Sequence, residues 1–230
     1  MSTRYDDILF DADGTLFDFL RGEKEALKAT FLAHGIELDE AAVLEYSAIN
    51  DSLWKALERG EIEKSELRVK RFELFCRARG YDVDFDGVSI EYTDNLSYQH
   101  FLIDGALDIC RELSEHCRLF IITNGIEYVQ KRRFGLSPLG EYFDGLFISG
   151  EIGFEKPNIR FFEAVADSIE NYNPERTLVV GDSLSSDMKG GIGAGLDCCY
   201  FAPGGQQIPE GMPIKYKITK LSELPNIVLE

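Results

Sequence analysis

The sequence predicts an α/β protein in which a doubly wound parallel sheet forms the core and an α-helical insertion follows the first strand. Three observations predict it. Short apolar runs recur along the chain, each closing on Asp, Thr, Ser or Gly and leading into a helical pattern, as buried parallel strands joined by crossover helices do. Residues 17–95 instead carry a 3.6-residue apolar period with hardly any β-rich run. The chain has 230 residues, 44% hydrophobic and 28% charged, which places it among globular proteins large enough for a core and a smaller domain.

The first strand is Ile8-Leu9-Phe10, closing on Asp11. Residues 17–95 come next and are too long for an ordinary strand-to-helix connection. Leu27, Phe31 and Leu32 form one apolar stripe, Val43, Leu44, Leu53, Trp54 and Leu57 a second, and Leu67, Phe72, Leu74 and Phe75 a third, so the segment reads as helices packed on one another, a cap domain. The remaining strands are Leu119–Ile122 before Thr123-Asn124, Leu146–Ile148 before Ser149, Leu178–Val180 before Gly181-Asp182, and Cys198–Phe201. The expected domains are therefore a core from 1–16 and 96–230 and a helical cap from 17–95. The run Gly190-Gly191-Ile192-Gly193-Ala194-Gly195 does not fit a dinucleotide-binding loop and is read as small residues that let a helix pack closely.

A formal net charge of -17 disfavours nucleic acid, whose binding relies on clustered Lys and Arg. A small anionic substrate requires a metal ion or a few placed cations to overcome that field locally. Five cysteines without CxxC spacing read as reduced buried thiols. The N-terminal region offers only Ile8–Phe10 as an apolar stretch, so neither a signal peptide nor a membrane span is expected, and the cytoplasm is the expected compartment.

Ligands of doubly wound sheets bind at the carboxyl ends of the strands, where Asp11-Ala12-Asp13-Gly14-Thr15 stands. Asp11 suits a nucleophile toward phosphorus, and Asp13 an acid that protonates the leaving oxygen. Thr123, Asn124 and Gly125 supply a hydroxyl, a carboxamide and main-chain N–H groups for phosphate oxygens. Lys156, before Pro157, supplies a counter-charge, and Asp182 and Asp187 follow the fourth strand. Oxygens of Asp11, Asp182 and the Asp13 carbonyl would make a magnesium site, with Asp187 orienting Lys156 or a metal-bound water. Read singly, the DxD also fits a turn, Thr-Asn a helix cap, Lys156 a solvated surface and Asp187 a helix N-cap. Their common position at strand ends joins them.

The set DxDGT, TN, KP and GDxxxxD resembles the haloacid dehalogenase superfamily, and within it the phosphatases with a helical cap after the first motif. The resemblance implies a Rossmann-like core, Mg2+, Asp11 as nucleophile, Asp13 as acid/base, Thr123 and Lys156 on the phosphoryl group, and Asp182 with Asp187 as the acidic pair. Dehalogenases proper lack the second aspartate of the first motif, so Asp13 points to a phosphatase. Asn50–Trp54, Arg71-Phe72, Gly150–Pro157 and Ser186–Cys198 look most like house-cleaning pyrimidine 5'-nucleotidases, which implies a nucleoside monophosphate as the small phosphomonoester substrate. Phosphoglycolate or sugar-phosphate hydrolysis is the alternative within the superfamily, and a phospho-receiver switch the alternative outside it. Phe17, Phe19, Asn50 and Trp54 are candidates for stacking on a base or sugar, although helical spacing favours their packing within the cap.

Overall fold

The computed structural model describes residues 3–229. Its core is a six-stranded parallel sheet of β1 (Asp7–Phe10), β2 (Arg118–Thr123), β3 (Gly145–Ile148), β4 (Thr177–Gly181), β5 (Asp197–Phe201) and β6 (Tyr216–Ile218). The spatial order is β3-β2-β1-β4-β5-β6. From β1 the chain builds outward through β2 to β3, then returns to place β4 on the other side of β1. The carboxyl ends of β1 and β4 therefore flank the point where strand order reverses, which is where doubly wound sheets bind ligands. Asp11 follows the first of these strands and Asp182 the second.

The five expected strands are present, and β6 is an addition. It has three residues, pairs with β5 along one edge, and buries Ile218 while Tyr216 and Lys217 are half-buried. So short and mixed a run carries no periodic signal.

The segment Phe19–Phe101 forms one compact unit and the rest of the described chain another. Phe17, expected to open the cap, instead bridges to Leu102 and lies in the hydrophobic core of the sheet unit, which moves the boundary past it. The helical unit contains α1 (Phe19–Ala33), α2 (Glu40–Glu58), α3 (Lys64–Arg79) and α4 (Phe85–Ser97). Asp39 caps α2 by accepting from the Ala42 N–H at 2.7 Å, Asp84 caps α4, and Gly80, at φ 69°, ends α3. Phe31, Tyr46, Phe72, Phe75, Tyr81 and Tyr92 interlock with ring centroids 5.2 to 5.9 Å apart.

Beside these rings runs a buried polar clamp. Glu23 of α1 accepts from Asn50 of α2 at 2.8 Å and from Ser47, while Arg71 of α3 donates to Asn50 at 3.1 Å. Burial raises the Glu23 pKa, against the hydrogen bonds and the nearby Arg71 charge that lower it. Asn50 thus binds other helices of its own unit, and Trp54 packs against Leu53, Leu57 and Leu67. Leu32, Leu44 and Leu74, read as parts of the apolar stripes, are exposed. Each neighbours a buried residue in sequence and so lies about 100° around the helix from it.

The sheet unit adds α5 (Ala106–Ser114), α6 (Glu127–Leu136), α7 (Ser149–Ile152), α8 (Ile159–Ser168), α9 (Lys189–Gly193) and α10 (Pro225–Val228). Strand side chains alternate between two covered faces. Ile8, Phe10, Leu119, Ile121, Leu178 and Val180 pack with α5 and α10, and Leu9, Phe120, Ile122 and Val179 with α8. Both faces being covered explains the continuous apolar runs. All five cysteines are buried and free. Among the described residues no helix is long and apolar enough to cross a membrane.

The glycine run packs as expected. A Cβ on Gly191 would stand 2.6 Å from Cys198 Sγ and 3.0 Å from Val179 Cγ2, and one on Gly190 would stand 3.1 Å from the Pro157 Cα and press on the Phe162 ring. Overpacking of this kind costs ~1–3 kcal/mol. Gly191→Val is therefore expected to lower the unfolding free energy by that amount in urea titration, and an unchanged midpoint would refute the close approach of α9 to the sheet.

Candidate active site

The site is built on Lys156, whose side chain is 1% exposed. Its ammonium donates to Asp11 Oδ1 at 2.7 Å, to Asp187 Oδ1 at 2.6 Å and to the Ile122 carbonyl at 2.7 Å. An ammonium has three N–H donors, so all are committed to protein acceptors. The sequence reading gave Lys156 the counter-charge for the Asp11 carboxylate, with Asp187 orienting it, and the structure engages it with the side chains of both. Asn124, expected beside the phosphate oxygens, is engaged with the Lys156 main chain. Its carboxamide donates to the Lys156 carbonyl and accepts from the Lys156 N–H, both at 2.8 Å, and so fixes the lysine's main chain.

Asp11, Asp182 and Asp187 each bring a carboxylate oxygen within 4.8 Å of the others. Thr15 stands between two of them, its single hydroxyl proton within reach of Asp11 Oδ2 at 3.3 Å and of Asp182 Oδ1 at 3.4 Å. The second oxygen of Asp187 accepts from the Ser183 N–H at 3.1 Å, so both of its oxygens serve the protein. Two glycines make room for this crowding. Gly14, at φ 87°, lies where any side chain would strike the Asp182 carboxylate, and Gly181 lies where one would strike that of Asp187.

Burial pushes the Asp11 pKa well up; Lys156 opposes that shift, while Asp187 and Asp182 add to it. Burial, and then the Asp187 charge, push Asp182 up to about 7. Lys156 is raised, its desolvation outweighed by the two carboxylates it touches. Three acids thus share one lysine and remain under-neutralised. An all-oxygen donor set in that condition fits a hard divalent cation.

Thr123 is buried and accepts from the Gly125 N–H at 3.0 Å, which fixes its hydroxyl at the tip of β2. A Cβ on Gly125 would collide with the Gln130 side chain. That side chain belongs to a part of the site absent from the sequence reading. Gln130 Nε2 donates to Asp13 Oδ2 at 2.6 Å, and Arg133 Nη2 donates to Asp13 Oδ1 and, at 2.9 Å, to Gln130 Oε1. Both residues lie on α6, three positions apart and hence on one helix face. Their spacing was the available signal, but Arg133 sits in Lys131-Arg132-Arg133, which reads as a solvated basic stretch.

Removing one partner of a buried ion pair costs ~3–5 kcal/mol. Lys156→Met is accordingly expected to destabilise the fold by that order at neutral pH, measured by urea unfolding. Without the cation, which opposes the upward pull of burial, the folded-state pKa of Asp11 lies further above its unfolded value. The folded state then binds protons more tightly than the unfolded state, and the deficit shrinks as pH falls through the raised value. A deficit that is constant with pH would sink this account.

A family model for haloacid dehalogenase-like hydrolases matches residues 5–195. The HAD-hydrolase YfnB of Bacillus subtilis is 38% identical over 226 residues, covering 98% of this chain and 96% of that protein. Its crystal structure, bound to magnesium, superposes with a TM-score of 0.93 at 37% identity, covering 97% of this chain and 98% of the other. The pyrimidine 5'-nucleotidase PynA of Streptococcus pneumoniae is 35% identical over 86% of this chain and 84% of its own length. The pyrimidine 5'-nucleotidase YjjG of Escherichia coli is 31% identical over 98% of both. With strand-end acids on a Rossmann-like parallel sheet and a family match over most of its length, the chain belongs to the haloacid dehalogenase-like hydrolases and is an enzyme.

Proposed function

We propose that this hydrolase cleaves small phosphomonoesters, with pyrimidine nucleoside monophosphates as its substrates, through an aspartyl-phosphate on Asp11 and with Mg2+ as cofactor. The observation that carries the reading is the Asp11 carboxylate itself. It stands at the switch point of the sheet, gripped on one oxygen by a buried lysine, with a second aspartate, Asp13, held separately by α6. Free buried thiols suit a reducing compartment such as the cytoplasm.

In the first half-reaction an Asp11 oxygen attacks phosphorus, the bond from phosphorus to the ester oxygen breaks, and the Asp13 carboxyl gives its proton to that departing oxygen. In the second, Asp13, now a carboxylate, takes a proton from the water that attacks phosphorus, and the bond from phosphorus to the Asp11 oxygen breaks. Inorganic phosphate leaves, and both aspartates return to their starting states. Lys156 fixes the nucleophile's orientation, and Thr123 lies at the strand tip where its hydroxyl suits a non-bridging oxygen. Asp11 and Asp182, with the Asp13 carbonyl, would hold Mg2+, which supplies charge stabilisation for the transferring phosphoryl group. Asp187 acts through Lys156. The substrate class is supported by the two relatives named as pyrimidine 5'-nucleotidases.

The purified protein with Mg2+ should hydrolyse uridine, deoxyuridine and thymidine monophosphates in preference to phosphoglycolate and sugar phosphates, as read by phosphate release. The opposite preference would overturn the nucleotidase reading. Chelation should stop turnover and Mg2+ restore it. Asp11→Asn should lower kcat by roughly 10⁴-fold or more while preserving the thermal midpoint, and appreciable turnover in that variant would rule out the covalent route.

A further inference from the structure

We infer that Arg133 and Gln130 are positioning residues that fix the carboxylate of Asp13 for proton transfer, an inference that rests on the phosphatase reading above. Asp13 is exposed on its side chain to 26%, whereas Arg133 is 1% exposed and Gln130 2%. Each Asp13 oxygen has its own donor, Oδ1 from Arg133 and Oδ2 from Gln130. The donors are tied to each other by the 2.9 Å bond from Arg133 to Gln130 Oε1, and the guanidinium lies 4.5 Å from the centre of the Phe17 ring. A short carboxylate that would otherwise rotate freely is held in one plane by two buried groups.

The energetics argue that the arrangement serves Asp13 rather than the fold. A buried guanidinium is costly unless its donors are used, and Arg133 Nε has no hydrogen-bond partner among the described residues. Its ion pair with Asp13 goes to a carboxylate still open to solvent. Replacing a whole ion pair of this kind by apolar side chains is often neutral for stability, so stability alone does not account for the pairing. Gly125 points the same way, since the space a side chain would occupy there is filled by Gln130. The turn that presents Thr123 therefore also admits the residue that holds Asp13.

Fixing a general acid matters in proportion to how much the leaving group needs a proton. The alkoxide leaving from uridine monophosphate needs one, whereas p-nitrophenolate leaves unaided. First-turnover rates on both compounds should be measured by rapid quench with Mg2+ for the wild type, Arg133→Met, Arg133→Lys and Gln130→Met. In Arg133→Met the ratio of the uridine monophosphate rate to the p-nitrophenyl phosphate rate should fall by roughly 10²-fold. Gln130→Met, which leaves the arginine paired and so safeguards folding, should lower that ratio about 10-fold, and Arg133→Lys should recover part of it. KM for uridine monophosphate should stay within about threefold. A ratio equal to wild type in both methionine variants, whether or not overall activity drops, overturns the positioning role and makes the pair structural. A wild type that hydrolyses neither compound instead overturns the phosphatase reading, and the inference with it.

Discussion

A lysine ammonium buried among two aspartates and a main-chain carbonyl is the constraint on which the site depends. Its acceptors come from the residue after β1, from β2 itself and from the turn after β4, so one cation ties three strand ends together. The loop that carries it is fixed in turn by the two hydrogen bonds of Asn124. Burying such an ion-paired cluster gains little stability over replacing all of its members with apolar side chains of similar volume, because desolvation offsets most of the attraction. What it does provide is a carboxylate held still in a setting that tends to protonate it. Lys156 opposes the upward pull of burial on Asp11 and thereby favours the ionised, nucleophilic form.

Space is as much a part of these motifs as charge. Gly14 and Gly181 stand where side chains would occupy the places of the Asp182 and Asp187 carboxylates, and Gly125 yields its place to Gln130. Asp182, Asp187 and Gln130 are thus each paired with a glycine that leaves room for the side chain. Gly190 and Gly191 extend the rule outward, letting α9 approach Val179, Cys198 and Phe162 closely enough to seat the turn carrying Asp187. A motif written as acids and glycines is therefore a steric pattern as well as a chemical one.

The parts legible in the sequence were those set by local pattern. Apolar runs buried on both faces gave the strands, and the polar residue closing each run gave Asp11, Thr123 and Asp182 their places. The helical period gave the inserted unit, although its neighbouring leucines Leu32, Leu44 and Leu74 proved exposed. What stayed hidden is set by tertiary geometry. Nothing in Thr-Asn-Gly tells that the carboxamide turns to the backbone of a lysine far along the chain. Nor does Lys131-Arg132-Arg133 tell which of three adjacent cations is buried: Lys131 is exposed, Arg132 half-buried and Arg133 fully buried. Helix rotation decides that, and Asp13 finds its partners through it.

Charge at the site follows from these pairings. Lys156 balances one of the acids it touches, so Asp11, Asp182 and Asp187 together remain net negative when ionised, in a chain whose formal charge is already -17. In the proposed reaction the phosphate monoester is anionic too, and Asp11 would approach its phosphorus. Arg133 gives no relief, because its charge is directed to Asp13. In that reaction, repulsion between nucleophile and substrate would be cancelled by charge from outside the chain. A single divalent cation, bound by hard oxygens, matches that deficit in sign, size and ligand chemistry.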